Sequence, residues 1–196
     1  MSDDVAVLAR QRFRWDVKTL TDPDGAQVEP TPLWTYVRTL RSLPAPDPAP
    51  GHDQARIAPW EFRTMVVPVR MLRARNKGDG DIHLVVADLE DDELTMVTEL
   101  PSAPVGHRKR SIRCTRSFFV CRFGDPPFSP RWLELDRRPA NLYGVAFFDR
   151  PHAAHTAPNG IELHPVVALS LVTHASDASR PDELAAVLAT GGSPGS

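Results

Sequence analysis

Two cysteines, Cys114 and Cys121, are all that this 196-residue chain contains. That is too few for the disulfide framework of a small secreted domain. Seven positions apart, on one helix they would stand roughly 10 Å from each other along the axis, beyond bridging distance. Free thiols and a reducing, cytoplasmic location are therefore expected. No run approaches the roughly 18 apolar residues of a membrane span, and the opening MSDDVAVLARQRFRWD lacks the apolar stretch of a secretory signal. No membrane partner is expected. Charge of one sign is missing too: 23 Lys and Arg face 25 Asp and Glu, a formal net charge of −2. Nucleic acid could then be held only by a local patch. There is no phosphate-cradling glycine loop, no G-x-S-x-G elbow and no paired C-x-x-C.

Proline, by contrast, is abundant. Its 20 residues are about twice the usual share and announce long irregular connections. An apolar content of 41% and a charged content of 24% suit a single globular domain with extensions, able to bury its own core.

Residues 1–56 read as an N-terminal extension. Arg10 to Trp15 mixes cations and aromatics, and Thr21–Gly25 (TDPDG) is a turn. TPLWTYVRTLRSL suggests one short helix, with Thr31 as N-cap, Pro32 in its first position and Leu33, Val37, Leu40 and Leu43 on one face. The Pro-rich Ala45–Gly51 is a linker. Residues 57–176 then change to strands. Phe62–Arg73 carries Pro68, which suggests an edge strand or a bulge; Ile82–Asp88 and Leu94–Leu100 complete a three-strand meander. Arg110–Arg122 reads as a helix with an apolar stripe Cys114–Phe118–Cys121, although the run Ser117–Val120 competes as a strand. Leu142–Phe148 and Ile161–Val172 are the last two strands. The expectation is an all-β fold in the order β-β-β-α-β-β, that of an OB-like five-stranded barrel. Residues 177–196 add a helix, Pro181–Thr190, partly capped by Ser179 and Asp182, and a disordered tail.

Three sets of residues could carry chemistry. The junction of the last two strands gathers Asp149, His152, His155, Asn159, Glu162 and His164. Glu162 and His164 are two apart on a strand, so they share a face opposite Ile161 and Leu163. His83 and Glu99 on earlier strands could join them. Such a set can bind a divalent metal through His83, His152, Glu162 and His164, or supply acid and base. It can equally be a polar network that fixes a turn. No other cofactor is expected. The second set is the basic run Arg108, Lys109, Arg110, Arg113 and Arg116 beside Phe118 and Phe119, which could hold single-stranded nucleic acid by charge and stacking, or simply be a solvated face. The third, Asp79 and Asp81 in KGDGD, fits a hairpin turn better than a calcium loop, since Leu84 stands where that loop needs glycine.

The segments Arg14–Gly25, Arg41–Pro46, Asp79–Asp88 (DGDIHLVVAD), Thr95–Pro101 (TMVTELP) and Gly144–Val166 (GVAFFD…APNGIELHPV) resemble a widespread bacterial protein family. Its motifs are V-K-T-L-x-D-P, D-x-D-x-H-L-V, T-M-x-x-E-x-P and G-x-x-F-F-D…A-P-N-G-I-E-L-H-P-V. The resemblance implies shared polar positions, here His83, Glu99, Asp149, His152, Asn159, Glu162 and His164, rather than an activity. The chain departs from it at Ala153–Thr156, and in the basic two-cysteine segment Arg108–Arg122. A non-catalytic module binding nucleic acid or a protein is the first functional expectation. A metal-assisted phosphoester hydrolase using the His/Glu set is the second, and a subunit of a larger assembly docked through Pro181–Thr190 the third.

Overall fold

Residues 13–102, 108–150, 155–173 and 180–190 are described in the structure, a computed structural model of the chain. His152, Ser179 and the 191–196 tail lie outside the described residues.

The elements follow in the order α1 (Trp15–Thr19), a 3-10 turn at Gly25–Gln27, β1 (Glu29–Trp34), α2 (Val37–Ser42) and a second 3-10 turn at Trp60–Phe62. Then come β2 (Arg63–Asn76), β3 (Ile82–Asp88), β4 (Thr95–Leu100), α3 (Lys109–Phe123), β5 (Leu133–Phe148), β6 (Ile161–Leu171) and α4 (Glu183–Ala189). The chain is mostly sheet with a few short helices. From β2 onward the order is β-β-β-α-β-β, with one further strand ahead of it. No helix among the described residues is long and apolar enough to cross a membrane.

The six strands form one mixed sheet in the order β1-β2-β3-β4-β6-β5, and β2 also pairs with β5. β2, β3 and β4 are an antiparallel meander. β5 is antiparallel to both β2 and β6, and β4 meets β6 in parallel through one residue pair, Thr98 with Leu163. β3 is buried along its whole length, which accounts for its apolar run Leu84–Ala87: both faces of the sheet are covered there. One face carries the main core, with Leu84 and Val86 of β3, Met96 and Leu100 of β4, and Ile161 and Leu163 of β6; Leu40 of α2, Phe119 of α3 and Leu184 of α4 pack into it. Leu20, Ile112, Val145 and Val167 make a smaller cluster. β5 and β6 approach so closely at Gly144 that an added Cβ would stand 2.8 Å from that of Leu163.

Three local expectations are corrected. Glu29–Trp34 is a strand parallel to β2, not the first turn of a helix. Pro30 and Pro32 suit an edge strand because neither has an N–H to leave unpaired, and the helix starts only at Val37. β2 is not an edge strand, although its register does shift, as at a bulge, between Met71 and Arg73. β5 lines one side from Thr64 to Ala74, while the other side passes from β1, paired through Val66, to β3, paired from Val69. Pro68 sits at that change of partner, where a missing donor costs least. On α3 the buried side is Ile112, Thr115 and Phe119, whereas Cys114, Phe118 and Cys121 face solvent. The Thr115 hydroxyl fixes this phase by donating to the Val167 carbonyl at 2.8 Å. Both thiols are free.

α4 is held by its own chain. The Asp182 carboxylate accepts from Ala185 N–H at 2.9 Å as N-cap and from the Thr39 hydroxyl at 2.5 Å, and Glu183 accepts from Trp34 N–H. Asp182→Ala is expected to lower stability by about 1–2 kcal/mol, measured by urea denaturation. A change below a few tenths would show that the cap contributes nothing.

Candidate functional site

The alternation of β3, β4 and β6 places the polar set. Because Leu163 points into the main core, Glu162 and His164 on either side of it point the other way. The same alternation sends His83 opposite to Leu84. His83 and Glu99 are direct cross-strand partners, and the Thr98–Leu163 pair brings Glu99 against β6. The hairpin turn before β3 contributes Lys77 and Asp81. α1 folds over this face and contributes Lys18, whose ammonium lies 2.8 Å from an Asp149 carboxylate oxygen and 5.1 Å from the Phe147 ring centre.

Glu99 is the hub. Its Oε1 accepts from Lys77 Nζ at 2.6 Å and faces His83 Nδ1 at 2.9 Å. Its Oε2 is 3.2 Å from His164 Nδ1. His164 Nε2 lies 3.7 Å from Asp81 Oδ2, while Asp81 Oδ1 accepts from Ser102 N–H at 2.9 Å. Exposure is 3% for His83, 1% for Glu99 and Glu162, and 0% for Asp81 and His164. Despite that burial, both ring nitrogens of His164, both carboxylate oxygens of Glu162 and Asp81 Oδ2 have no hydrogen-bond partner. Each such atom costs about 1–3 kcal/mol when left dry.

Burial acts on every charge here. It would raise the Glu99 carboxyl, yet the hydrogen bond with His83 and the ammonium groups of Lys18 and Lys77 hold it well below the usual carboxylate range. Glu162, which has no such bond, is pushed up to about 8 by burial and by the neighbouring Glu99 and Asp149. Asp81 rises to about 7 by burial and the charge of Glu99. Burial and Lys18 lower His164 to about 3, so its imidazole is neutral, with a lone pair on one ring nitrogen and a proton on the other. Burial opposes the charge on Lys18, but Glu99, Asp149 and Glu162 outweigh it and raise the ammonium.

His83, Glu99, Glu162 and His164 thus lie on one face of the sheet, with Asp149 joined to them through Lys18. Asn159 stands apart from that chemistry: its amide donates to the carbonyls of Leu40 and Leu43 at 2.8 and 2.9 Å and accepts from Ile161 N–H, tying α2 to the start of β6. His155 lies elsewhere, against Arg73 in a surface cavity of about 570 Å³ that Asp92, Glu134 and Arg137 also line. His152 lies outside the described residues. Lys18, Lys77 and Asp81 belong to the cluster without having been singled out for it. Lys18 and Asp81 fall inside the V-K-T-L and D-x-D motifs, the one signal that could have found them.

The basic run divides in two. Arg108 donates to the Thr64 hydroxyl and the Val28 carbonyl, and Arg116 to the Leu100 carbonyl, so both are structural. Lys109, Arg110 and Arg113 are exposed, and no hydrogen bond or ion pair holds them among the described residues. Phe118 is 42% exposed, whereas Phe119 is wholly buried and cannot stack on a base. The helix phase set by Thr115 decides between the two. Comparison with known protein families and with curated proteins finds no match to this chain.

Proposed function

We propose that this chain is a non-catalytic binding module on an OB-like barrel and that its ligand is single-stranded nucleic acid. The barrel reading is supported by the pairings β2–β3, β3–β4, β4–β6, β6–β5 and β5–β2, which run in a ring through five strands. The observation that carries the function is the exposed face of α3, where Lys109, Arg110 and Arg113, held by no ion pair or hydrogen bond among the described residues, stand beside the exposed ring of Phe118. Cations track a phosphate backbone and an aromatic face stacks on any base. Two free, exposed cysteines support a reducing compartment such as the cytoplasm.

Anisotropy of a labelled oligothymidylate of about 20 nucleotides tests this. Three phosphate contacts on a single strand give a slope of log affinity against log salt of about −2. A variant with Lys109, Arg110 and Arg113 all changed to Ala is expected to flatten that slope and weaken binding by at least tenfold. Binding that ignores salt, or that the triple variant retains, overturns the reading.

Metal-assisted hydrolysis of phosphoester bonds is the second reading, favoured by the convergence of His83, Glu99, Glu162 and His164. It ranks second because these groups are no more than 3% exposed, and an acid or base must come within hydrogen-bond reach of its substrate. Phosphodiester turnover with Mg²⁺, Mn²⁺ or Zn²⁺ that is lost in Glu99→Gln reverses the order. For the assembly reading, α4 offers little: Leu184 is spent on the chain's own core, leaving Leu188 exposed.

A further inference from the structure

Each carboxylate of the buried cluster is used asymmetrically. Glu99 Oε1 is engaged by Lys77 and faces His83, leaving Oε2 turned towards His164. Asp81 Oδ1 is engaged by Ser102 N–H, leaving Oδ2 without a partner and turned towards the same imidazole. One ligand atom from each of Asp81, Glu99 and His164 lies within 4.8 Å of the other two, with all three residues buried. Protein hydrogen bonds that orient one oxygen and leave the other facing a common point are the outer shell of a metal site.

We propose that Asp81, Glu99 and His164 bind a divalent transition-metal ion of the Zn²⁺, Mn²⁺ or Co²⁺ class, with the carboxylate of Glu162 beside them. The ion joins three separate parts of the chain: the turn before β3, strand β4 and strand β6. It does so whatever α3 binds.

Two features favour a cation over a buried water. The first is the donor set. A mixed imidazole and carboxylate set suits borderline divalent ions, whereas calcium takes oxygen alone and soft ions take thiolates. The second is charge. Asp81, Glu99, Asp149 and Glu162 face only two ammonium groups, those of Lys18 and Lys77, so the ionised cluster holds two more negative charges than positive ones. One divalent ion matches that excess, as two protons on the carboxyls otherwise would; a water molecule does not. The ion also gives His164, unpartnered and wholly buried, the electron-pair acceptor that none of its neighbours supplies.

The full chain, stripped with chelator and dialysed, is titrated with Zn²⁺, Mn²⁺ and Co²⁺ while bound metal and melting temperature are followed. One ion per chain is expected, with a rise in melting temperature of about 5 °C or more at a hundredfold excess over the dissociation constant. Cobalt should develop visible absorption that reports nitrogen and oxygen ligands. Asp81→Asn keeps the acceptor for Ser102 and should fold, yet lower affinity at least tenfold; His164→Gln should abolish the cobalt spectrum. Asp136→Asn, an exposed carboxylate outside the cluster, should leave uptake unchanged. Uptake that survives in both cluster variants places the ion elsewhere and overturns the proposal. So does the absence of stoichiometric binding with all three metals, which would assign the orphan atoms to buried water.

Discussion

Glu61→Ala is expected to cost about 3–5 kcal/mol, enough to leave much of the chain unfolded if its total stability lies in the usual range. The reason is the amount of structure that meets at one carboxylate. Glu61 Oε1 accepts from Arg14 Nη1 and from Phe148 N–H, both at 2.8 Å. Its Oε2 accepts from Arg14 Nη2 at 2.5 Å and from Ile57 N–H at 2.7 Å. Both side chains are wholly buried. Arg14 in turn donates to the carbonyls of Gln54, Ala55 and Phe148. Removing the carboxylate strands a guanidinium in the interior and leaves two backbone N–H groups unpaired. The double variant Arg14→Met/Glu61→Leu should recover part of the loss, because it removes both charges at once. Urea denaturation reads the wild type, Glu61→Ala, the two singles Arg14→Met and Glu61→Leu, and the double variant. A single-variant loss under 1 kcal/mol, or a double variant as unstable as the sum of the singles, would show that the pair is not a coupled buried unit.

The second large effect depends on pH. Glu162 is pushed from its ordinary 4.5 to about 8 in the folded chain. Below about 4.5 the group is protonated in both folded and unfolded states and contributes nothing. As pH rises from 4.5 to 8 the unfolded chain ionises while the folded chain does not, so folding stability falls. Above about 8 the loss is complete. Its size is on the order of 5 kcal/mol. Glu162→Gln removes this loss, because an amide does not ionise. Any fixed difference in packing between the two side chains is the same at every pH. In EDTA, the variant should melt close to the wild type at pH 5 and about 10 °C above it at pH 9. An equal difference at both pH values would mean that Glu162 ionises as readily folded as unfolded.

Much of the sheet was legible because β-branched runs declare themselves. Ile82–Asp88 has the limits read from sequence, and α3 extends one residue beyond Arg110–Arg122 at each end. Glu29–Trp34 was not legible, since Pro32 fits the first turn of a helix as well as an edge strand, and only β2 lying alongside decides between them. Within the site, the period of two along β6 put Glu162 and His164 on one face before any coordinates. The cations were hidden for a different reason. A lysine in a short helix or a turn normally reaches solvent, and Lys18 meets Asp149 across 131 positions of sequence. Its burial follows from how the N-terminal segment folds back, which no local pattern encodes. Phe118 and Phe119 show the same limit at the smallest scale. A rotation of one residue on α3 exchanges core for solvent, and the tie between Thr115 and Val167 sets it.

The single residue pair between β4 and β6 has a kinetic consequence. Every other seam between neighbouring strands has at least three such pairs, so this one can part while the remaining sheet stays zipped. Amide hydrogens of Glu99 and Leu163 should therefore exchange with deuterium sooner than those of Leu84 and Val86. Because Glu99 and Glu162 flank that seam, a proton or an ion that enters the cluster there waits for the two strands to separate, and where capture outpaces reclosing its entry rate is that of the separation and not of its concentration outside.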